Sequence, residues 1–217
     1  MEHHSIQLLE FLQTTASQLS IPIPDCAYRL FDRYLTELMQ WNRAINLTSM
    51  DDDREIVVKH FVDSLAGFKV INVTVDTHLL DVGAGAGFPA FPLKFVRPDL
   101  FIELLEPSEK RGAFLRYMVG SLGLLRTTIA TAKLEDYVNC KDMPPLYDYI
   151  VVRAFKVDHM GIALRSLLKD GGKVVLYRAA KIDNSFTLDG LALVNEVEYE
   201  LPAGYGHRAL SVFSKQP

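Results

Sequence analysis

The run Leu79-Leu80-Asp81-Val82-Gly83-Ala84-Gly85-Ala86-Gly87-Phe88-Pro89 constrains this chain more than any other segment. An apolar stretch of strand length ends in an acid and then three glycines at alternate positions. Glycines placed so let the backbone turn sharply and come within contact distance of a ligand, where a Cβ would intrude. A helix starting just beyond them offers unpaired N–H groups to the same spot. The spacing G-x-G-x-G departs from the G-x-G-x-x-G of dinucleotide-binding loops, and the absence of a following Gly-Lys-Ser/Thr excludes a P-loop. Asp81 at the strand end would repel a diphosphate, but it can pair with a cationic ligand or orient the loop. Taken alone, the loop reads equally as a ligand seat or as a simple tight turn.

The surroundings of the loop give its architecture. From Thr77 onward short apolar runs alternate with helical stretches. Strands are expected over His78–Val82, Leu100–Leu105, Thr127–Ala130, Tyr149–Val152, Lys173–Tyr177, Leu193–Tyr199 and Leu210–Phe213, and helices over Phe91–Phe95, Ser108–Leu122 and Val157–Leu168. Such alternation predicts an α/β fold: a doubly wound, mostly parallel, seven-stranded sheet with helices on both faces. Ligands of these sheets bind at the carboxyl ends of the strands, where the strand order reverses. Residues before about 66 have a different texture. Leu8/Leu9, Leu12, Ala16 and Leu19 recur at helical steps, and Ile21-Pro22-Ile23-Pro24 ends that helix. Asp25 is placed as the N-cap of a second helix, whose apolar face runs from Leu30/Phe31 to Ile45. Asp51-Asp52-Asp53 supplies negative charge to the start of a third, through Ile56, His60, Asp63 and Ser64. The expected organisation is thus an N-terminal helical extension (1–70) packed on a sheet domain (71–217).

Composition narrows the class of function. With 49% hydrophobic and 23% charged residues the chain is neither disordered nor fibrous. Cys26 and Cys140 offer no disulfide scaffold and no metal-ligand cluster, and without a secretory apolar region they read as reduced thiols of a cytoplasmic protein. No apolar run approaches the roughly 18 residues of a membrane-crossing helix. The net charge of −4 falls entirely in residues 1–60, which hold nine acids against five bases. A domain-wide basic footprint for nucleic acid is therefore absent, and any RNA contact must come from local patches.

Two further features bear on the glycine loop. Glu106, at the end of the second strand and 23 residues after Gly83, is placed to take two vicinal ribose hydroxyls. Leu168-Lys169-Asp170-Gly171-Gly172-Lys173 reads as a helix-to-strand turn with glycine ending the helix. Each has an ordinary alternative, a solvated strand-end charge and a mere C-cap. Together with the loop they resemble the Rossmann-like class I S-adenosylmethionine-dependent methyltransferases.

A closer resemblance lies outside the loop. Trp41-Asn42-Arg43-Ala44-Ile45-Asn46-Leu47-Thr48 and Lys59-His60-Phe61-Val62-Asp63-Ser64-Leu65 are similar to the W-N-x-x-I-N-L-T and K-H-F-x-D-S-L segments of the bacterial small-subunit rRNA guanine-N7 methyltransferases, the glucose-inhibited division protein B family. Asp81–Pro92, Lys110-Arg111-x-x-Phe114-Leu115, Lys133-Leu134-Glu135, Val152-Arg153-Ala154 and His207-Arg208 follow its other motifs in order, across nearly the whole chain. Ala84, Ala90 and Lys133-Leu134 depart from its commoner serine, glycine and Arg-Ala.

The resemblance implies transfer of a methyl group from S-adenosylmethionine to N7 of a guanine in the decoding region of 16S rRNA, with the rRNA or the 30S subunit as partner, no metal, no membrane and a monomeric chain. Another RNA, a protein or a small molecule is the alternative substrate. It implies that Gly83 and Phe88 line the methionine and ribose portion of the cofactor, that Glu106 takes the ribose with Pro107 and Ser108 beside it, and that Leu134 and Glu135 flank adenine. Arg153 faces the cofactor carboxylate or an RNA phosphate, or else forms an ion pair with Asp148 or Asp158. Asp81, Gly85 and Gly87 support the loop. Lys94, Arg97, Lys110, Arg111 and Arg208 are the candidates for RNA contact, with Arg116, Arg178 and Lys181 beside them, although any one of these cations has a solvated helix face as its ordinary reading. No catalytic base is assigned, since N7 carries a free lone pair and needs alignment rather than deprotonation.

Overall fold

The computed structural model describes residues 2–140, 145–154, 157, 159–183 and 185–215. Helix α1 (Glu2–Gln18) is followed by α2 (Asp25–Ile45), whose buried Ala27, Phe31, Tyr34, Leu35 and Leu38 lie on one face at helical steps. Pro24, not Asp25, occupies the N-cap position, so Asp25 acts in the first turn through charge alone. Asn46 ends α2 in the left-handed region, a conformation asparagine tolerates. The third helical region is not uniform. Asp52 caps α3 (Asp53–Ile56) by accepting from Glu55 N, a π-helical turn occupies Val57–Val62, and α4 (Asp63–Leu65) completes it. Wide turns of this kind are rare and cluster at functional sites.

Among the described residues seven strands form one sheet, β1 (His78–Val82), β2 (Phe101–Leu105), β3 (Thr127–Ala130), β4 (Tyr147–Arg153), β5 (Leu168–Arg178), β6 (Leu191–Leu201) and β7 (Gly206–Lys215), in the order β3-β2-β1-β4-β5-β7-β6. The first five are mutually parallel and β7 runs antiparallel to both β5 and β6. Because β1 lies between β2 and β4, the strand order reverses at β1, and a crevice is expected at its carboxyl end.

Side chains alternate between faces along each strand, as a pleat requires. Leu79, Val151 and Val175 join one core with α1, α2, α5 (Ala90–Val96) and α6 (Glu109–Leu122). Leu80, Val82, Ile150, Val152, Val174 and Leu176 join the other, with α7 (Leu134–Val138) and α8 (Gly161–Ser166). Trp41 fastens α2 to α6, its ring 5.6 Å from Phe114 and 5.2 Å from Tyr117. One expectation is corrected here. The helix before β5 ends at Ser166, not Leu168, and Gly171-Gly172 do not cap it. They lie inside β5, where Gly171 takes φ +77 and a Cβ on Gly172 would come 2.9 Å from Tyr147 O. The glycines therefore permit a kink where β5 meets the irregular start of β4. No described helix is long and apolar enough to cross a membrane.

Candidate functional site

The loop after β1 is held from both sides by backbone. Gly83 N and Ala84 N donate to Leu105 O at 2.8 and 3.2 Å, which ties the loop to the end of β2. Gly85 N donates to Glu106 Oε2 at 2.8 Å and Ser108 N to Glu106 Oε1 at 3.0 Å. Glu106 is thus buried yet satisfied, and each carboxylate oxygen keeps a second lone pair for a ligand hydroxyl. Gly87, at φ +94, tolerates no side chain, since a Cβ there would lie 2.3 Å from the Phe91 ring. Tyr34 hydroxyl donates to Ala86 O, and its ring lies 5.5 to 5.7 Å from Phe61, Phe88, Phe91 and Phe95. The N-terminal helices thereby clamp the loop to the sheet.

Asp81 is wholly buried behind this loop. Its Oδ2 accepts from Ala90 N at 3.0 Å, fixing the start of α5, while Oδ1 has no partner among the described residues. Of the two roles open to it, the geometry gives it that of orienting the loop. Burial raises its pKa from 3.8 to about 7, against the pull of the Ala90 amide and Arg153. An acid whose folded pKa is raised costs no stability below its unfolded pKa, where both states are protonated. As pH climbs from about 4 to about 7 the unfolded chain ionises first, and stability is lost over that window. The loss should approach about 4 kcal/mol from this group. Denaturant titrations at pH 5 and pH 8 should show Asp81→Asn with the flatter dependence; equal slopes for both proteins would contradict the burial argument.

Two joined cavities open beside the loop at the carboxyl ends of the strands. The larger, about 600 Å³, is lined by Val82, Gly83, Leu105, Pro107, Leu134 and Glu135 among others. The smaller, about 300 Å³, is lined by Leu47, His60, Gly85, Phe88, Glu106 and Arg153, and shares Gly83 and Pro107 with the first. Gly83, Phe88, Glu106, Pro107, Leu134, Glu135 and Arg153 therefore gather at one crevice. Ser108 stands beside it as the N-cap of α6, accepting from Arg111 N. Gly85 lines the smaller cavity, whereas Gly87 packs against Phe91.

Arg153 is committed to the N-terminal region. Its guanidinium is 3.3 Å from Asp63 Oδ2 and donates to Lys59 O, to Ser64 Oγ at 3.2 Å and to His60 Nδ1 at 2.9 Å. Of the two partners expected for it, Asp148 pairs instead with Lys169 at 2.7 Å, and Asp158 lies outside the described residues. The π-helical turn brings the Lys59 carbonyl and the His60 ring to one guanidinium. His60 and Asp63 do not bond each other; both are joined through Arg153, and Asp63 also accepts from Tyr199 OH at 2.6 Å.

Leu47 and His60 line the crevice without standing among the expected cofactor-binding residues. The His60 ring stacks flat on Phe88, with centroids 4.4 Å apart and planes at 14°. Burial, then Arg153 and Lys59, lower its pKa to about 3, so the imidazole is neutral. Because a guanidinium only donates, Nδ1 accepts and the proton sits on Nε2, facing Thr48 Oγ1 at 2.9 Å. The sequence signal was the Lys59–Leu65 motif itself.

The basic residues divide. Lys94 is 2% exposed and donates to Pro98 O and Leu100 O; burial lowers its pKa to about 8, and it offers no surface to RNA. Arg97 chelates Asp99 and donates to Val73 O at 3.0 Å, near the start of β1 and away from the crevice. Arg116 faces Thr131 and Glu109. Arg111 lines the smaller cavity, Lys110 is exposed beside it, and Arg208 reaches toward Asp63 at 3.9 Å. Among the described residues no group of three or more His, Cys, Asp or Glu is placed to hold a metal ion.

Residues 27–198 match the family model described as rRNA small subunit methyltransferase G. The chain is 31% identical over 216 residues to the ribosomal RNA small subunit methyltransferase G of Lactococcus lactis subsp. cremoris (strain SK11), covering 95% of this chain and 90% of that one. It is 31% identical over 212 residues to the protein of the same name from Carboxydothermus hydrogenoformans, covering 94% and 90%. In fold it matches the crystal structure of TrmN from Thermus thermophilus, with a TM-score of 0.54, 17% identity and coverage of 74% of this chain and 53% of that one.

Proposed function

The chain belongs to the rRNA small subunit methyltransferase G family, and from that premise we propose that it transfers a methyl group from S-adenosylmethionine to N7 of a guanine in the decoding region of 16S rRNA. The observation that carries the reading is the paired cavity at the end of β1, where the motif residues of the family meet. Its walls suit the donor. Val82, Leu105 and Leu134 supply an apolar slot for a flat ring, Glu106 retains lone pairs for ribose hydroxyls, and its buried carboxylate gives the site a negative bias toward a cation.

Bound S-adenosylmethionine supplies an electrophilic methyl on a positively charged sulfur. The chain's own task is then alignment. The lone pair of guanine N7 is available at neutral pH, so no side chain has to take a proton before attack. Orientation of well-placed reactants is worth on the order of 7–11 kcal/mol. Phe88 and His60 form a stacked wall for a planar base, and His60 stays neutral beside the positive charge that develops on the purine. Glu106 stabilises that charge. Residues 1–70 form the helical extension that completes the substrate side of the 71–217 cofactor unit, through Leu47 and His60. The target base must leave its stack to enter so small a cavity.

The test is methyl transfer from labelled donor to 30S subunits lacking the modification, followed by digestion and mass spectrometry of the nucleosides. Label in 7-methylguanosine of 16S rRNA is expected. Label in another nucleoside or in protein, or none, rejects the reading.

A further inference from the structure

A third cavity, about 430 Å³, lies over the ends of β4 and β5, lined by Val152, Ala154, Leu176, Tyr177, Arg178 and Lys181 among others. It meets the smaller crevice cavity at Ala154, which borders both. Three cavities thus follow one another along the carboxyl edge of the sheet, from β3 to β5. The one over β4 and β5 has no part in the reading above.

Its two cations differ. Lys181 is 2.5 Å from Glu198 and is neutralised. Arg178, the last residue of β5, has no carboxylate within ion-pair distance among the described residues. Its guanidinium carbon sits 5.0 Å above the Phe186 ring, which fixes the plane, and its buried Nε–H has no acceptor among the described residues. A buried donor of this kind is costly unless a ligand completes it. On the other side of Arg178 a separate cavity carries the exposed Asp183 and Asp189, and Asp183 is turned to Ser185 N and Oγ at 2.8 Å each. An anion would therefore approach from the β4 side, where no carboxylate among the described residues lines the cavity.

We propose that this cavity seats the nucleotide adjoining the methylated guanosine, with Arg178 holding its phosphodiester. The inference rests on the preceding reading. A base drawn into the Phe88–His60 crevice carries its neighbours with it, and the backbone on one side must run past Ala154. A planar guanidinium held on an aromatic face matches phosphate oxygens two at a time.

Methyl transfer to 30S subunits is measured for wild type, Arg178→Ala and Arg178→Lys between about 50 and 200 mM salt at constant Mg²⁺, with S-adenosylmethionine affinity by calorimetry. The alanine variant should raise KM for the subunit about tenfold, and the salt slope of log KM should fall by about 0.7, the loss of one single-strand phosphate contact. Cofactor affinity should hold, and lysine should restore the slope while recovering only part of KM. Unchanged KM and slope in the alanine variant would overturn the proposal, as would weakened cofactor binding or a lysine variant no better than alanine. Failure of the wild type itself to methylate subunits would instead remove the reading beneath it.

Discussion

Replacing Gly83 by Asp is expected to abolish methyl transfer while leaving the fold intact. Gly83 takes φ +73 and borders both crevice cavities, so a side chain there intrudes on the ligand space of both. Its N–H bond to Leu105 O needs only the backbone and survives the change. The left-handed conformation costs an L residue about 1–2 kcal/mol, a loss the whole domain can absorb. Calorimetry with S-adenosylmethionine should show affinity reduced by at least about 100-fold, equivalent to some 2.7 kcal/mol. Gly83→Ala separates the backbone contribution from the obstruction and should retain measurable binding. Wild-type affinity in the aspartate variant would mean that the donor lies elsewhere.

The second large effect is expected at Arg153. Truncation to Ala leaves the Asp63 carboxylate, whose side chain is only 4% exposed, with Tyr199 and a distant Arg208. Breaking a buried pair by removing one partner costs about 3–5 kcal/mol. In a domain of this size that corresponds to a fall in Tm of about 10 °C. Activity should fall further than stability, because Arg153 also fixes the tautomer of His60 and draws the π-helical turn against the crevice. Arg153→Lys keeps the charge but not the fork and should recover stability more than activity. A melting curve unchanged in the alanine variant would show that the Asp63–Arg153 pair holds nothing together.

Much of this was legible in the chain. The strand β1 and the turn after it declare themselves because alternate glycines follow an apolar run; that the turn is a ligand seat was legible only together with Glu106 and the flanking motifs. The seven strands were placed because short apolar runs alternate with helical ones, although β4 to β7 all extend beyond the apolar residues that revealed them. What could not be read depended on distance or on subtle backbone geometry. The partner of Arg153 lies 90 residues upstream, and sequence spacing carries no signal for such a pair. The π-helical turn has the apolar pattern of an ordinary helix; only its carbonyls reveal the wider pitch. Lys94 looks like a solvated cation in Ala90–Val96, yet that helix is buried on all sides and the ammonium turns back to two carbonyls. Gly171-Gly172 suggested a helix end because a kinked strand and a C-cap call on the same residue for the same positive φ.

The central claim is that the crevice between Gly83 and Glu106 holds the methyl donor. A crystal structure with S-adenosylhomocysteine tests it most directly. The adenine is predicted between Leu134 and the Gly83 turn, with both ribose hydroxyls on Glu106. Density for the ligand anywhere else, or a crevice left vacant at saturating concentration, would contradict the account.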